Sequence, residues 1–143
     1  MKATDLAEQL EALAGCGDDF DTRARELTEA WSATRAGGEA VEPILRFMES
    51  HPTIDFGSPG PLVHFVERFH GAAYVDALVA SIRRRPTAHT AWMLNRVING
   101  APTAGAEALV ETMKQARAHP LADESAVAAL TGFLAHQSGR GPG

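Results

Sequence analysis

Apolar side chains return every three or four positions along most of this chain, the period of an α-helix, and no stretch alternates as a half-buried strand does. Leu6, Leu10 and Leu13 mark a first helix from about Thr4 to Ala14, ended by Gly15 and Gly17. Asp18, Asp19 or Asp21 can cap a second, with Phe20, Ala24, Leu27 and Trp31 on its apolar side and Gly37-Gly38 as its stop. A third covers about Glu39 to Ser50, with Pro43 tolerated in its first turn. The longest connection follows, His51 to Pro61, whose prolines and glycines predict a stiff loop.

A fourth helix, about Pro61 to His70, turns Leu62, Phe65, Val66 and Phe69 inward, and a fifth runs from about Ala72 to Arg85. Thr87 can cap a sixth that buries Ala91, Leu94, Val97 and Ile98 and stops at Asn99-Gly100. A seventh spans about Gly105 to Ala118, and Asp123 or Ser125 can cap an eighth carrying Ala126, Val127, Leu130, Phe133 and Leu134.

Pro52, Pro86 and Pro120 recur 34 residues apart, each closing one of these stripes. Val41, Ile44, Leu45 and Met48 precede the first, and Val75, Leu78, Val79 and Ile82 the second in the same register. Ala106, Leu109, Val110 and Met113 precede the third, displaced by a turn. One helix pair per copy at this period marks a stacked helical repeat. The fold expected is all-α, a right-handed stack of antiparallel helix pairs with about eight helices. The Gly and Tyr that a tetratricopeptide motif places inside its first helix are missing, so a shorter HEAT-like α-solenoid fits better. The first pair lacks the recurrent proline, as suits the capping end of an array. Residues 1–138 are expected to form a single domain, with 139–143 a disordered tail.

Charge adds a partner class. Residues 1–50 hold eleven acids against five bases, whereas residues 51–143 hold seven acids against eight bases. An acidic region repels phosphate backbones and attracts basic partners, which disfavours nucleic acid. No apolar run reaches the roughly 18 residues of a membrane helix, and no N-terminal stretch reads as a signal peptide. Cys16 is the one cysteine, which excludes an internal disulfide and fits a reducing compartment. A cytoplasmic protein without cofactor is expected.

Candidate chemistry is sparse. His64, Glu67 and His70 invite a metal, but steps of three and six residues turn the two imidazoles about 120° apart, and helical ligand pairs need an i, i+4 spacing. No nucleophile elbow, Cys-His signature or metalloprotease motif is present, so no catalytic residues and no metal ligands are assigned. The prolines around Gly57 and Gly60 remove the backbone donors a phosphate cradle needs. Arg83-Arg84-Arg85 reads as a solvated helix end, favoured by the dipole. The sixth helix carries more. His89, Trp92, Arg96 and Asn99 fall within an arc of about 80° opposite Leu94 and Ile98. Trp and Arg on a polar helix face dominate interface energetics, though Trp92 as core beneath a neighbouring repeat is the competing reading.

Asp55-Phe-Gly-Ser-Pro-Gly-Pro-Leu-Val-His-Phe-Val-Glu67, followed by Arg85-Pro-Thr-Ala-His-Thr-Ala-Trp-Met-Leu-Asn-Arg-Val-Ile-Asn-Gly100, resembles the small bacterial immunity proteins encoded beside polymorphic and contact-dependent toxins, several of them helical repeats. The resemblance covers residues 55–100, about a third of the chain. It implies stoichiometric inhibition of a cognate toxin domain by a cytoplasmic monomer or weak homo-oligomer. It carries over as partner-binding positions Asp55, His64, Glu67, His89, Trp92, Arg96 and Asn99. Two other classes stay open: a helical-repeat adaptor with several weak partners, and a small-molecule-binding domain using His64, Glu67 and His89.

Overall fold

In the computed structural model the predicted stripes become eight α-helices, with no strand among the described residues, which are 3–33, 38–57, 59–69, 72–101 and 103–139. Gly37, Ser58, His70 and residues 140–143 of the expected tail lie outside them. The chain divides into two compact units, Met1–Ala77 and Leu78–Gly143, and the division falls within the fifth helix.

The first unit holds α1 (Ala3–Leu13), α2 (Phe20–Ala33), α3 (Val41–Ser50) and α4 (Gly60–Glu67). Short 3-10 turns at Gly17–Asp19 and Gly38–Ala40 lead into α2 and α3. Asp18 and Asp19 lie in the first of these turns, and Asp21 pairs along α2 with Arg25 at 2.9 Å. α1 packs on α3 and α2 on α4, while α1 also touches α2 and α3 touches α4. Leu6, Leu10, Ile44, Leu45, Met48, Leu62 and Trp31 fill the space between them. Full burial of each such side chain is worth about 1.5–3 kcal/mol relative to exposure. Trp31 keeps its polar atom satisfied inside this core, its Nε1–H donating to Gln9 Oε1 at 2.7 Å.

The connection after α3 is anchored to the core by one of its own side chains. Phe56 is only 1% exposed, inserted edge-on between Phe20 and Phe47 at centroid distances of 5.7 and 5.9 Å. Behind it the chain turns sharply at Gly57 (φ +97°), whose N–H is held by Asp55 Oδ1 at 2.9 Å. A Cβ at Gly57 would stand 2.6 Å from the Gly60 Cα, so this turn admits no side chain.

α5 (Ala72–Arg84) leads into the second unit, which holds α6 (Ala88–Gly100), α7 (Thr103–Arg117) and α8 (Glu124–Gly139). α8 packs on both α6 and α7, and α6 on α7. Leu78, Ile82, Met93, Leu94, Ile98, Met113 and Leu130 form its core. Thr87 caps α6 as its sequence predicts: its Oγ1 accepts the Thr90 N–H at 3.1 Å, and Thr90 Oγ1 accepts the Thr87 N–H at 3.3 Å. Asp123 caps α8, Oδ1 accepting the Ala126 N–H at 2.8 Å. His119 clips the end of α7 to that of α5. Its Nε2–H donates to the Arg83 carbonyl at 2.8 Å, and Nδ1 accepts the Leu121 N–H at 2.9 Å.

Candidate functional site

α6 buries Thr90, Ala91, Met93, Leu94 and Ile98 and leaves its opposite side to the residues singled out by spacing. His89 and Trp92, three apart, are half-buried with ring centroids 5.4 Å apart. Arg96, four further on, is exposed and lies with its guanidinium carbon 5.1 Å from the Trp92 ring centroid. The three side chains therefore lie in contact in a row along the helix, the His89 and Trp92 rings tilted 48° to one another. A guanidinium resting on an indole is attracted by the ring quadrupole and loses less freedom when it binds an anion. Trp92 is half-buried.

Asn99 completes the ridge through a neighbour. Gln137 of α8 donates from Nε2 to Asn95 Oδ1 at 2.7 Å and to Asn99 Oδ1 at 3.0 Å. α6 is thereby braced from α8 at the end distant from its cap. Neither Asn95 nor Gln137 was singled out from the sequence. The four-residue step from Asn95 to Asn99 offered a signal, but Gln137 is 42 residues from Asn95 and offered none.

Asp55, His64 and Glu67 lie in the first unit. Asp55 is exposed, and its carboxylate holds the Gly57 turn, which accounts for it structurally. His64 is exposed and Glu67 half-buried, one turn apart on α4. His64 faces a groove of about 650 Å³ between α2 and α4, whose walls also carry Arg25, Glu29 and Phe65. Arg68 crosses it, donating to Ser32 Oγ at 2.7 Å with its guanidinium carbon 5.6 Å from the Phe65 centroid. Asp21 and Glu29 oppose Arg25 and Arg68 there, so the groove has no single sign of charge.

No family model, curated protein or solved structure matches this chain. Among the described residues no group of three or more His, Cys, Asp and Glu side chains is placed to hold a metal ion, and no helix is long and apolar enough to cross a membrane. The charge is divided between the units: residues 1–77 carry fourteen acids against six bases, and residues 78–143 seven bases against four acids. α6 itself carries a single formally charged side chain, Arg96.

Proposed function

We propose that this chain is a cytoplasmic protein-binding inhibitor of the immunity type, which neutralises a cognate toxin domain by stoichiometric association and carries out no catalysis of its own. The observation that supports this reading best is the contiguous His89–Trp92–Arg96 row. An aromatic side chain already held in place, with a cation resting on its face, is the kind of residue pair on which binding energy concentrates. The resemblance of residues 55–100 to immunity proteins points the same way, and both its segments contribute surface side chains. The finer architecture belongs to the same proposal. The alternate-helix contacts of α1 with α3, α2 with α4 and α6 with α8 are compatible with a HEAT-type stack, although α7 also packs on both α6 and α8.

The test is capture of the tagged protein from its native cells, followed by a binding and inhibition assay with the purified partner. One stoichiometric partner with a toxin activity that falls to zero at equimolar inhibitor supports the proposal. Trp92→Ala and Arg96→Ala should then each weaken the complex by about 2 kcal/mol, roughly thirtyfold in Kd. Unchanged affinity in both variants would remove α6 as the binding face. Several weak partners, or none that is inhibited, would replace inhibition with a scaffolding role.

A further inference from the structure

A second surface, in the first unit, is built differently from the α6 ridge. Between α1 and α3 runs a groove of about 390 Å³. Ala7 of α1 and Pro43 and Phe47 of α3 give it an apolar floor. Glu11, Glu39 and Glu42 stand on its rim, and Arg46 is the one base that lines it among the described residues. We propose that this groove docks a cationic segment of a protein partner, one that places an apolar side chain on the floor and a Lys or Arg one helical turn away on the rim.

The floor is preorganised. Phe47 is 4% exposed and is wedged against Phe20, Phe56 and the His51 ring, with centroids at 6.5, 5.9 and 4.7 Å. It need not rearrange to receive a ligand, so little of the association energy is lost to ordering. Pro43 sits in the first turn of α3, where its missing N–H costs nothing, and presents a rigid ring.

The rim selects the charge. Glu39 and Glu42 have a local role near the start of α3, where negative charge complements the helix dipole, and Glu11 accepts from His51 Nε2 at 3.0 Å. Those roles explain the carboxylates one at a time. They do not explain why three of them border an apolar trough in a unit with fourteen acids and six bases. An anionic occupant would be repelled, and a neutral one would leave the rim unused. A cation, by contrast, meets an acceptor that is easily exchanged. Arg46 Nε donates to Glu42 at 2.9 Å, but the two side chains are 57% and 60% exposed, and an exposed i, i+4 pair of this kind is worth little. An incoming ammonium or guanidinium can displace Arg46 from Glu42 with small loss.

The groove is independent of the α6 ridge, and its test uses neither Trp92 nor Arg96. The probe is a short labelled amphipathic peptide of Leu and Lys, titrated into the full chain at physiological salt and followed by anisotropy. Peptides of Leu with Gln and of Leu with Glu serve as controls. The Leu/Lys peptide is expected to bind and both controls to fail. Glu42→Lys should weaken binding by about tenfold or more, whereas Asp76→Lys, the same charge change on exposed α5, should have a much smaller effect. Ala7→Trp, which fills the floor at an exposed position without altering charge, should weaken it comparably. Arg46→Gln should tighten it severalfold, since it frees Glu42, and this variant removes only an exposed pair and leaves the fold intact. Absence of Leu/Lys binding, or equal losses in Glu42→Lys and Asp76→Lys, would overturn the proposal by reducing it to general attraction between opposite charges. Looser binding in Arg46→Gln would overturn the exchange at Glu42.

Discussion

The α6 cap can be tested by removing one hydroxyl. Thr87 is 1% exposed and Thr90 fully buried, and their hydroxyls lie 2.8 Å apart. Thr87→Val keeps the shape of the side chain and deletes the acceptor of the Thr90 N–H. Loss of an N-cap costs about 1 kcal/mol. The buried Thr90 hydroxyl also loses one neighbour, although it keeps the Thr87 carbonyl at 3.4 Å and the Thr87 N–H at 3.3 Å. The second penalty therefore sits at the low end of the range for a buried polar group, about 1 kcal/mol. Together they give about 2 kcal/mol for Thr87→Val. Thr87→Ser keeps both bonds and loses only a buried methyl, about 0.8 kcal/mol. Because the two hydroxyls share one network, the Thr87→Val/Thr90→Val double variant should lose clearly less than the sum of the singles. The assay is equilibrium urea unfolding followed by far-UV circular dichroism, with hydrogen exchange at the Thr90 and Ala91 amides as a local reading. Should the two units unfold in separate transitions, the change belongs to the one that includes α6. A loss below about 0.5 kcal/mol for Thr87→Val, or full additivity in the double variant, would refute the reciprocal cap as the start of this helix. The consequence reaches the face of α6 proposed to bind a partner, since His89 sits in the turn that the cap secures.

Two further substitutions probe the first unit. Gly57→Ala should destabilise by more than about 2 kcal/mol, because it combines a left-handed backbone (φ +97°) with a Cβ 2.6 Å from the Gly60 Cα. Gly15→Ala, with nothing within 4 Å of its added carbon, should stay within about 0.5 kcal/mol of the parent in the same urea titration. Trp31→Phe deletes the 2.7 Å donation to Gln9 Oε1 inside the α1–α2 contact and should lower stability by about 1–2 kcal/mol. An unchanged midpoint would show that the indole contributes only its apolar bulk there.

Helices and two of the caps were legible because both are local, whereas Asp18 and Asp19 lie within a 3-10 turn and Asp21 pairs with Arg25 inside α2. Pro52, Pro86 and Pro120 fall two or three residues past the ends of α3, α5 and α7, as their spacing implies, and Thr87 and Asp123 cap as read. The stripes were less accurate at their edges. Leu27, Val75, Val79, Leu109 and Val110 are half-buried, whereas Thr28, Ser81 and Thr112 are buried. A small hydroxyl that bonds back along its own helix can enter a close helix contact without an unmet donor: Thr28 Oγ1 donates to the Arg25 carbonyl at 3.1 Å and Thr112 Oγ1 to that of Ala108 at 3.2 Å. A hydropathy pattern reads such residues as surface. Phe56 escaped for another reason. It sits in a connection with no helical period, and its contacts with Phe20 and Phe47, on two different helices, show it to be core.

The same division between local and distant runs through the candidate site. His89, Trp92 and Arg96 are spaced three and four apart on one helix, and their contact follows from that spacing. Gln137 comes from α8, and its amide ties Asn95 and Asn99 together from outside. Helix faces can thus be proposed from sequence, while the groups that hold them still come from elsewhere in the fold. Thr87 secures the start of α6 and Gln137 braces its end, so the side chains between them are presented on a helix restrained at both ends. For the binding role proposed for α6, such restraint means that little conformational freedom is lost when a partner arrives, and the proposal concentrates affinity in Trp92 and Arg96 more than in the area around them.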